Sequence, residues 1–558
     1  MNIETKQQIR QSCLERKTEK MDANAFKAAL EKVLKDETST TENGATGFKT
    51  TGHKLLDLHF QTSSLRSKSE AEVLKMFEDA FSEEPENTVK WLFMCRDVRG
   101  GMGERRTFRI CFKWLANCRP ALASRLVHLI SEYGRWDDLM CLLDSNVDET
   151  IQAAALKVID TQLASDYAEM QKGNGVSLLA KWMPSVNTSS KETVALAKRL
   201  VKKLSFKDDR EYRKTLSALR KHIDVVERKM SAKQWDEIDY EKVPSMANVR
   251  YRNAFLKNDP ERRREYLDKL ASGEAKVNAT ACFPSDIVHA YSADNENMWR
   301  LGLQPIDATL EQMWKSLPSV DVKGNVLVIA DGSGSMMTQV GGGSSMTALE
   351  VCNALALYCA EHNDGQFKDK FITFSGEPQF VDVSKAQSLR EKLSIMLSHD
   401  DCSNTNLEAT FDLVLEAAVR GKLKQEDIPT LVICSDMEFD AGVDLHSYDW
   451  ACKNEDGNWN DSRYNAVKTA LMEMIRAKWA AAGYELPKLV WWNIASRTGT
   501  IPMQQNKAGV VLCSGYSQSM FKMLASDSAD PYEALLEQLN ADRYKSVMDV
   551  VSTANANS

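Results

Sequence analysis

The feature that most constrains this fold is a short apolar run, Val326-Leu327-Val328-Ile329-Ala330, that ends directly on Asp331-Gly332-Ser333-Gly334-Ser335. A continuous apolar run closed by a Gly/Ser loop is the pattern of a strand buried on both faces. Similar runs recur at 370–374, 430–435, 489–494 and 510–513. Segments with helical spacing lie at 347–361, 384–397, 407–418 and 461–481. Strands alternating with helices predict a parallel, doubly wound (Rossmann-like) α/β sheet. Ligands of such sheets sit beyond the carboxyl ends of the strands.

The loop after the first run carries one carboxylate and two hydroxyls, spaced D-x-S-x-S on one side of a tight turn. Gly332 and Gly334 let that turn form without a side-chain clash. A hard cation such as Mg²⁺ takes oxygen ligands in near-octahedral geometry, and this loop supplies part of such a shell. Thr405, in the loop before the helical segment at 407–418, offers a third hydroxyl. Asp436, directly after the run at 430–435, offers a second carboxylate. Three strand-end loops thus contribute in the order D-x-S-x-S, Thr, Asp. The loop lacks the G-x-S-x-G of a nucleophile elbow and the Gly-Lys-Ser/Thr of a phosphate-binding loop. His399 stands near Thr405, but no triad is evident.

These residues resemble the metal-ion-dependent adhesion site of von Willebrand A domains. The resemblance implies that Ser333, Ser335 and Thr405 touch Mg²⁺ (or Mn²⁺ or Ca²⁺), with Asp331 and Asp436 bound directly or through water. It also implies an open coordination position that accepts a carboxylate from a protein partner. Two departures stand out. Residues 336–345, rich in glycine, intervene before helical sequence resumes, and are expected to cover the site or contact a ligand. Glu438 and Asp440 add two acids beside Asp436, and are expected to work against an acidic ligand.

From about Leu55 to Thr280 the texture is helical throughout, with apolar residues at three and four as in Val73, Met76, Phe77 and Phe81. Breaks fall at Gly100-Gly101, Gly134, Gly173-Asn174-Gly175 and Pro184. Many short helices in series, with no fixed sequence period, predict an irregular solenoid or ring of helical hairpins. Three turn segments stand out: Arg96 to Arg106, Tyr133 to Leu139 and Ala180 to Ser185. With Val243-Pro244-Ser245-Met246-Ala247, these resemble a family whose helical domain is similar to the TROVE domain of the Ro autoantigen. Ro proteins carry a HEAT-like helical ring followed by an A-like domain, and the ring binds RNA. By that resemblance Arg99, Arg105, Arg106 and Lys181 are candidate RNA contacts.

The chain has a formal charge of -8, which argues against a general nucleic-acid coat. Within it, residues 191–276 hold 23 Lys/Arg against 15 Asp/Glu, interleaved with aromatics. Basic side chains neutralise phosphates and aromatic rings stack on unpaired bases, so Lys202, Lys203, Arg213 and Lys214 join the RNA candidates. A solvated, salt-bridged helix surface is the competing reading of that stretch. The twelve cysteines show no C-x-x-C pair or zinc spacing, and are expected to be buried thiols. No apolar run is long enough to span a bilayer, and the polar N-terminus lacks a signal-peptide core, so the expected compartment is the cytoplasm.

The expected organisation is a polar N-terminal arm at 1–50, a helical repeat scaffold at 51–320, an A-like domain at 321–545 and a flexible tail at 546–558. The expected function is non-enzymatic binding: RNA, structured or single-stranded, on the helical scaffold, and an acidic protein partner at the cation. A metal-dependent protein adaptor without RNA is the alternative, and a metal-dependent phosphate hydrolase the third reading.

Overall fold

The computed structural model describes residues 38–279, 281–293, 301–320, 322, 324–374, 376–400, 402–440, 471–526 and 528–555. Its N-terminal region is mostly helical and its C-terminal region carries a mixed six-stranded sheet. Two strands precede the helices, β1 (Thr38–Thr40) and β2 (Thr46–Phe48), and a second small pair follows them, β3 (Ser292–Ala293) and β4 (Gly302–Leu303). The large sheet comprises β5 (Val326–Asp331), β6 (Lys370–Phe374), β7 (Gln379–Asp382), β8 (Thr430–Ser435), β9 (Leu489–Asn493) and β10 (Val510–Ser514). Its order is β10-β9-β8-β5-β6-β7, parallel except for the β6–β7 pair.

All five parallel strands occur where the apolar runs predict them. β7 is the strand that patterning misses. It is an edge strand whose residues are exposed apart from Val381, so it has little apolar signature. The chain leaves β5 for β6 on one side and later returns as β8 on the other. The crevice between the carboxyl ends of β5 and β8 is therefore the topological switch point, where ligands of open α/β sheets bind. The helix Ala348–His362 after β5 is buried on nearly every face. It packs between the sheet and the helix Pro284–Tyr291, which explains its all-round apolar sequence. Of the helix expected at 461–481, the part from Leu471 is described.

The predicted breaks of the helical region all fall between helices. At the first of them the chain folds back on itself: Met102 N donates to Met94 O (3.1 Å) and Glu104 N to Cys95 O (2.7 Å). A Cβ on Gly101 would stand 2.1 Å from Met94 O, so this position requires glycine. Arg66 closes the fold-back by a two-pronged pair with Glu104.

Two boundary expectations are corrected. Residues 38–48 are not a free arm: they form the β1–β2 hairpin, and Phe48 pairs with Ile501 in both directions (2.8 and 2.9 Å). Residues 546–558 are not a flexible tail as far as they are described: the helix Lys545–Asn555 packs on the helix Pro85–Arg96 of the N-terminal region. Both segments are short and polar on one side, and their order comes from docking on distant chain rather than from local propensity. One continuous apolar core runs from Ala45 to Val551 through both regions. Among the described residues, no helix is long and apolar enough to cross a membrane.

Candidate metal centre

β5 delivers Asp331 and β8 delivers Asp436 to adjacent strand ends, and both side chains are fully buried. Asp331 Oδ1 accepts from Ser333 N (2.9 Å), which closes the D-x-S turn. Its Oδ2 accepts from Ser435 Oγ (2.5 Å). Ser333 Oγ and Ser335 Oγ lie 3.1 Å apart. The loop that carries Thr405 packs against the turn: Gly334 N donates to Ser403 O (3.3 Å). A Cβ on Gly332 would meet Asp400 Oδ1 at 2.7 Å and one on Gly334 would meet Cys402 O at 2.9 Å. The glycines of D-G-S-G-S thus serve close approach of the second loop.

All five residues expected at the site are therefore brought to one end of the sheet. Burial, then the charge of Asp436, pushes the Asp331 carboxyl well above the usual carboxylate range. Burial pushes Asp436 the same way, opposed by the guanidinium of Arg497, whose Nη1 stands 2.9 Å from Asp436 Oδ2. The donor set is oxygen throughout, which fits a hard divalent cation better than a soft one. Asp331, Asp436 and Glu438 are fully buried, and among the described residues only Asp436 of the three pairs with a cationic side chain, that of Arg497, itself shared with Glu42. That excess of buried negative charge is what a divalent ion at the switch point would balance.

Several residues that shape the site are silent in sequence. The two added acids accept hydrogen bonds from backbone amides. Glu438 accepts from Arg497 N (2.7 Å), Thr498 N (2.9 Å) and Glu42 N (2.8 Å), and so holds the loop after β9 and the β1–β2 turn. Asp440 Oδ2 accepts from Thr405 N (3.0 Å) and fixes the third hydroxyl. Met437 and Cys402, one in each flanking loop, are non-glycine residues at positive φ (62° and 52°). Such strain persists where surroundings over-determine it, often at functional sites. Within the glycine-rich insertion, Gly341 lies against the backbone of Arg66 and Ser67 in the helical region. His399 closes a helix through Nδ1 and Ile395 O (2.8 Å).

The chain belongs to a domain-of-unknown-function family, DUF2828. That family model matches residues 41–160 and 154–320, which together span half of the chain. A second model, described as a domain of unknown function (DUF7788), matches residues 325–554. The uncharacterized protein L728 of Acanthamoeba polyphaga mimivirus is 28% identical over 539 residues, covering 90% of this chain and 87% of that protein. The division between the two DUF models falls where helices give way to the large sheet.

The RNA candidates divide in this DUF2828 protein. Arg106 donates to Leu65 O and Lys68 O (both 2.9 Å), so it ties two helical segments together. Arg99 Nη1 donates to Glu132 O (3.1 Å). Arg105 is exposed and reaches Asp137 at 4.0 Å, and Lys181 is half-buried on the short helix Leu179–Trp182. Lys202, Lys203, Arg213 and Lys214 are all exposed on two packed helices, Lys191–Lys203 and Asp209–His222, as are Lys198 and Arg199. The cysteines Cys352, Cys359 and Cys434 are buried free thiols.

Proposed function

We propose that this protein is a non-enzymatic binding protein with a von Willebrand A-like domain, whose metal-ion-dependent adhesion site takes Mg²⁺ or a similar divalent ion. The observation that carries the reading is the convergence of two buried carboxylates, Asp331 and Asp436, with the hydroxyls of Ser333, Ser335 and Thr405 at the switch point. The cation would offset their mutual repulsion and present a position for a partner's carboxylate. Calorimetric titration of chelator-stripped full-length protein with Mg²⁺, Mn²⁺ and Ca²⁺ tests this. One site per chain, lost in Asp331→Ala, is expected, and no heat from any of the three ions rejects the reading. Bound at a hundredfold over its Kd, the ion would add about 2.7 kcal/mol to stability.

The helical region, TROVE-like and HEAT-like by the resemblance drawn from its turn motifs, is proposed to hold RNA. The support is the exposed basic face of the helices Lys191–Lys203 and Asp209–His222, whose Lys202, Lys203, Arg213 and Lys214 make no salt bridge among the described residues. Gel shifts with structured and single-stranded RNA across a salt series test it. Replacing these four residues by Ala should weaken binding and flatten the salt dependence, since each phosphate contact contributes about 0.7–0.9 to the log–log slope. Salt-independent binding, or none at micromolar protein, favours the adaptor without RNA.

A further inference from the structure

The face at the switch point is not built from the sheet alone. The turn between β1 and β2, about 400 residues away in sequence, lies on it. Thr41 Oγ1 donates to Phe439 O (2.6 Å). Asn43 Nδ2 donates to Glu438 O (2.7 Å) and reaches Thr405 Oγ1 at 3.4 Å. Glu42 Oε2 accepts from Arg497 Nε (2.6 Å), while Arg497 Nη1 holds Asp436. One guanidinium therefore bridges a candidate metal ligand and an acid of the hairpin.

We infer that Asn43 and Glu42 are positioning residues of the cation site, so that cation binding and docking of the β1–β2 hairpin strengthen each other. This rests on the proposed cation site. A threonine hydroxyl has two lone pairs and one hydrogen. With one lone pair turned to the Asn43 amide, the other is held for a metal rather than rotating freely. Arg497 places a positive charge against the carboxylate that a cation would use, which opposes its entry. Glu42 offsets that charge and draws the guanidinium outward through Nε. Loss of either hairpin residue leaves the metal residues intact but less well arranged. By linkage, whatever factor the docked hairpin adds to cation affinity, the cation returns to hairpin docking.

The test uses the full-length protein. Mn²⁺ and Mg²⁺ affinities are measured by calorimetry for the wild type, Asn43→Ala, Glu42→Gln and Asp331→Ala. Both turn residues are exposed, so these two changes should leave the fold intact, which thermal unfolding checks. Affinity about fivefold or more weaker in each turn variant is expected. Hydrogen exchange gives a readout that needs no turn variant. The amides of Ala45 and Phe48, bonded to Phe439 O and Ile501 O, should exchange more slowly with Mn²⁺ in the wild type and unchanged in Asp331→Ala. Unchanged affinity in both turn variants with unchanged exchange overturns the inference and leaves the cation site standing. Tighter binding in the variants also overturns it, because the hairpin would then compete with the ion. A wild type that binds no cation removes the site itself and the inference with it.

Discussion

His59 lies on the helix Lys54–Phe60, which packs against β10, and its side chain is fully buried. Neither ring nitrogen has a hydrogen-bond partner among the described residues. Burial lowers its pKa from 6.5 to about 4. The imidazole is therefore neutral in the folded protein, while the unfolded chain takes up a proton below pH 6.5. The stability it leaves in place above that pH is lost as pH falls from about 6.5 to 4. At about 1.4 kcal/mol per pH unit, the loss amounts to about 3 kcal/mol. Other groups titrate in the same interval, so the measurement is a difference. Urea unfolding of the wild type and of His59→Leu, at steps from pH 7.5 to 4, should show the wild type losing about 3 kcal/mol more. At pH 7.5 the variant should be as stable as the wild type or more so, because an unpaired buried polar group is replaced by an apolar one of similar size. Parallel pH profiles for the two proteins would refute the reasoning, since they would mean that the imidazole is solvated or paired in solution.

Two further substitutions probe the packing around the sites. Gly332→Ala sets a Cβ 2.7 Å from Asp400 Oδ1, so it should cost about 1–3 kcal/mol and blunt the cation response; calorimetry and thermal unfolding that match the wild type would count against the loop contact. Asp97→Ala removes a buried acceptor of Arg543 Nη2 (2.7 Å), Arg99 N (3.0 Å) and Tyr544 OH (3.3 Å). With Arg543 one-third exposed, the loss should be about 2 kcal/mol, with faster protease cleavage near 540–545, and wild-type cleavage would sink it.

What the sequence discloses here is whatever one element fixes alone. Val326–Ala330 and Thr430–Ser435 are legible as strands because burial on both faces demands continuous apolar residues. Asp331 and Asp436 are legible as site residues because they directly follow those runs. Arg497 carries no such sign. It stands after β9 among ordinary polar residues, and it matters only because the sheet order sets β9 beside β8. Asn43 and Glu42 are further from view, in a polar stretch that reads as linker by composition. Glu438 and Asp440 were visible, but as acids near a ligand. Their bonds to Thr498 N and Thr405 N, which brace loops, are not visible in the sequence. Conversely, Arg106 is an RNA candidate by resemblance alone, and the carbonyls of Leu65 and Lys68 to which it donates are not visible in the sequence.

The contacts between the two regions bear on how any bound ligand would be felt. Asn493 at the end of β9 donates to Phe60 O (2.8 Å), and Ser63 Oγ sits 2.8 Å from Ser514 Oγ at the end of β10. Tyr133 OH of the helical region donates to Arg543 O (2.7 Å). These bonds are buried or partly buried, and breaking the regions apart would expose them together with apolar core shared by both. Separate unfolding of the sheet would thus strand polar groups on the helices, and the reverse holds too. Unfolding should therefore be a single transition, with far-ultraviolet circular dichroism and tryptophan fluorescence superimposed, and a cation bound at the switch point should move both signals equally. Two resolved transitions, with one indifferent to the ion, would show that the shared core does not couple the halves, and that binding on the sheet is not transmitted to the basic helices.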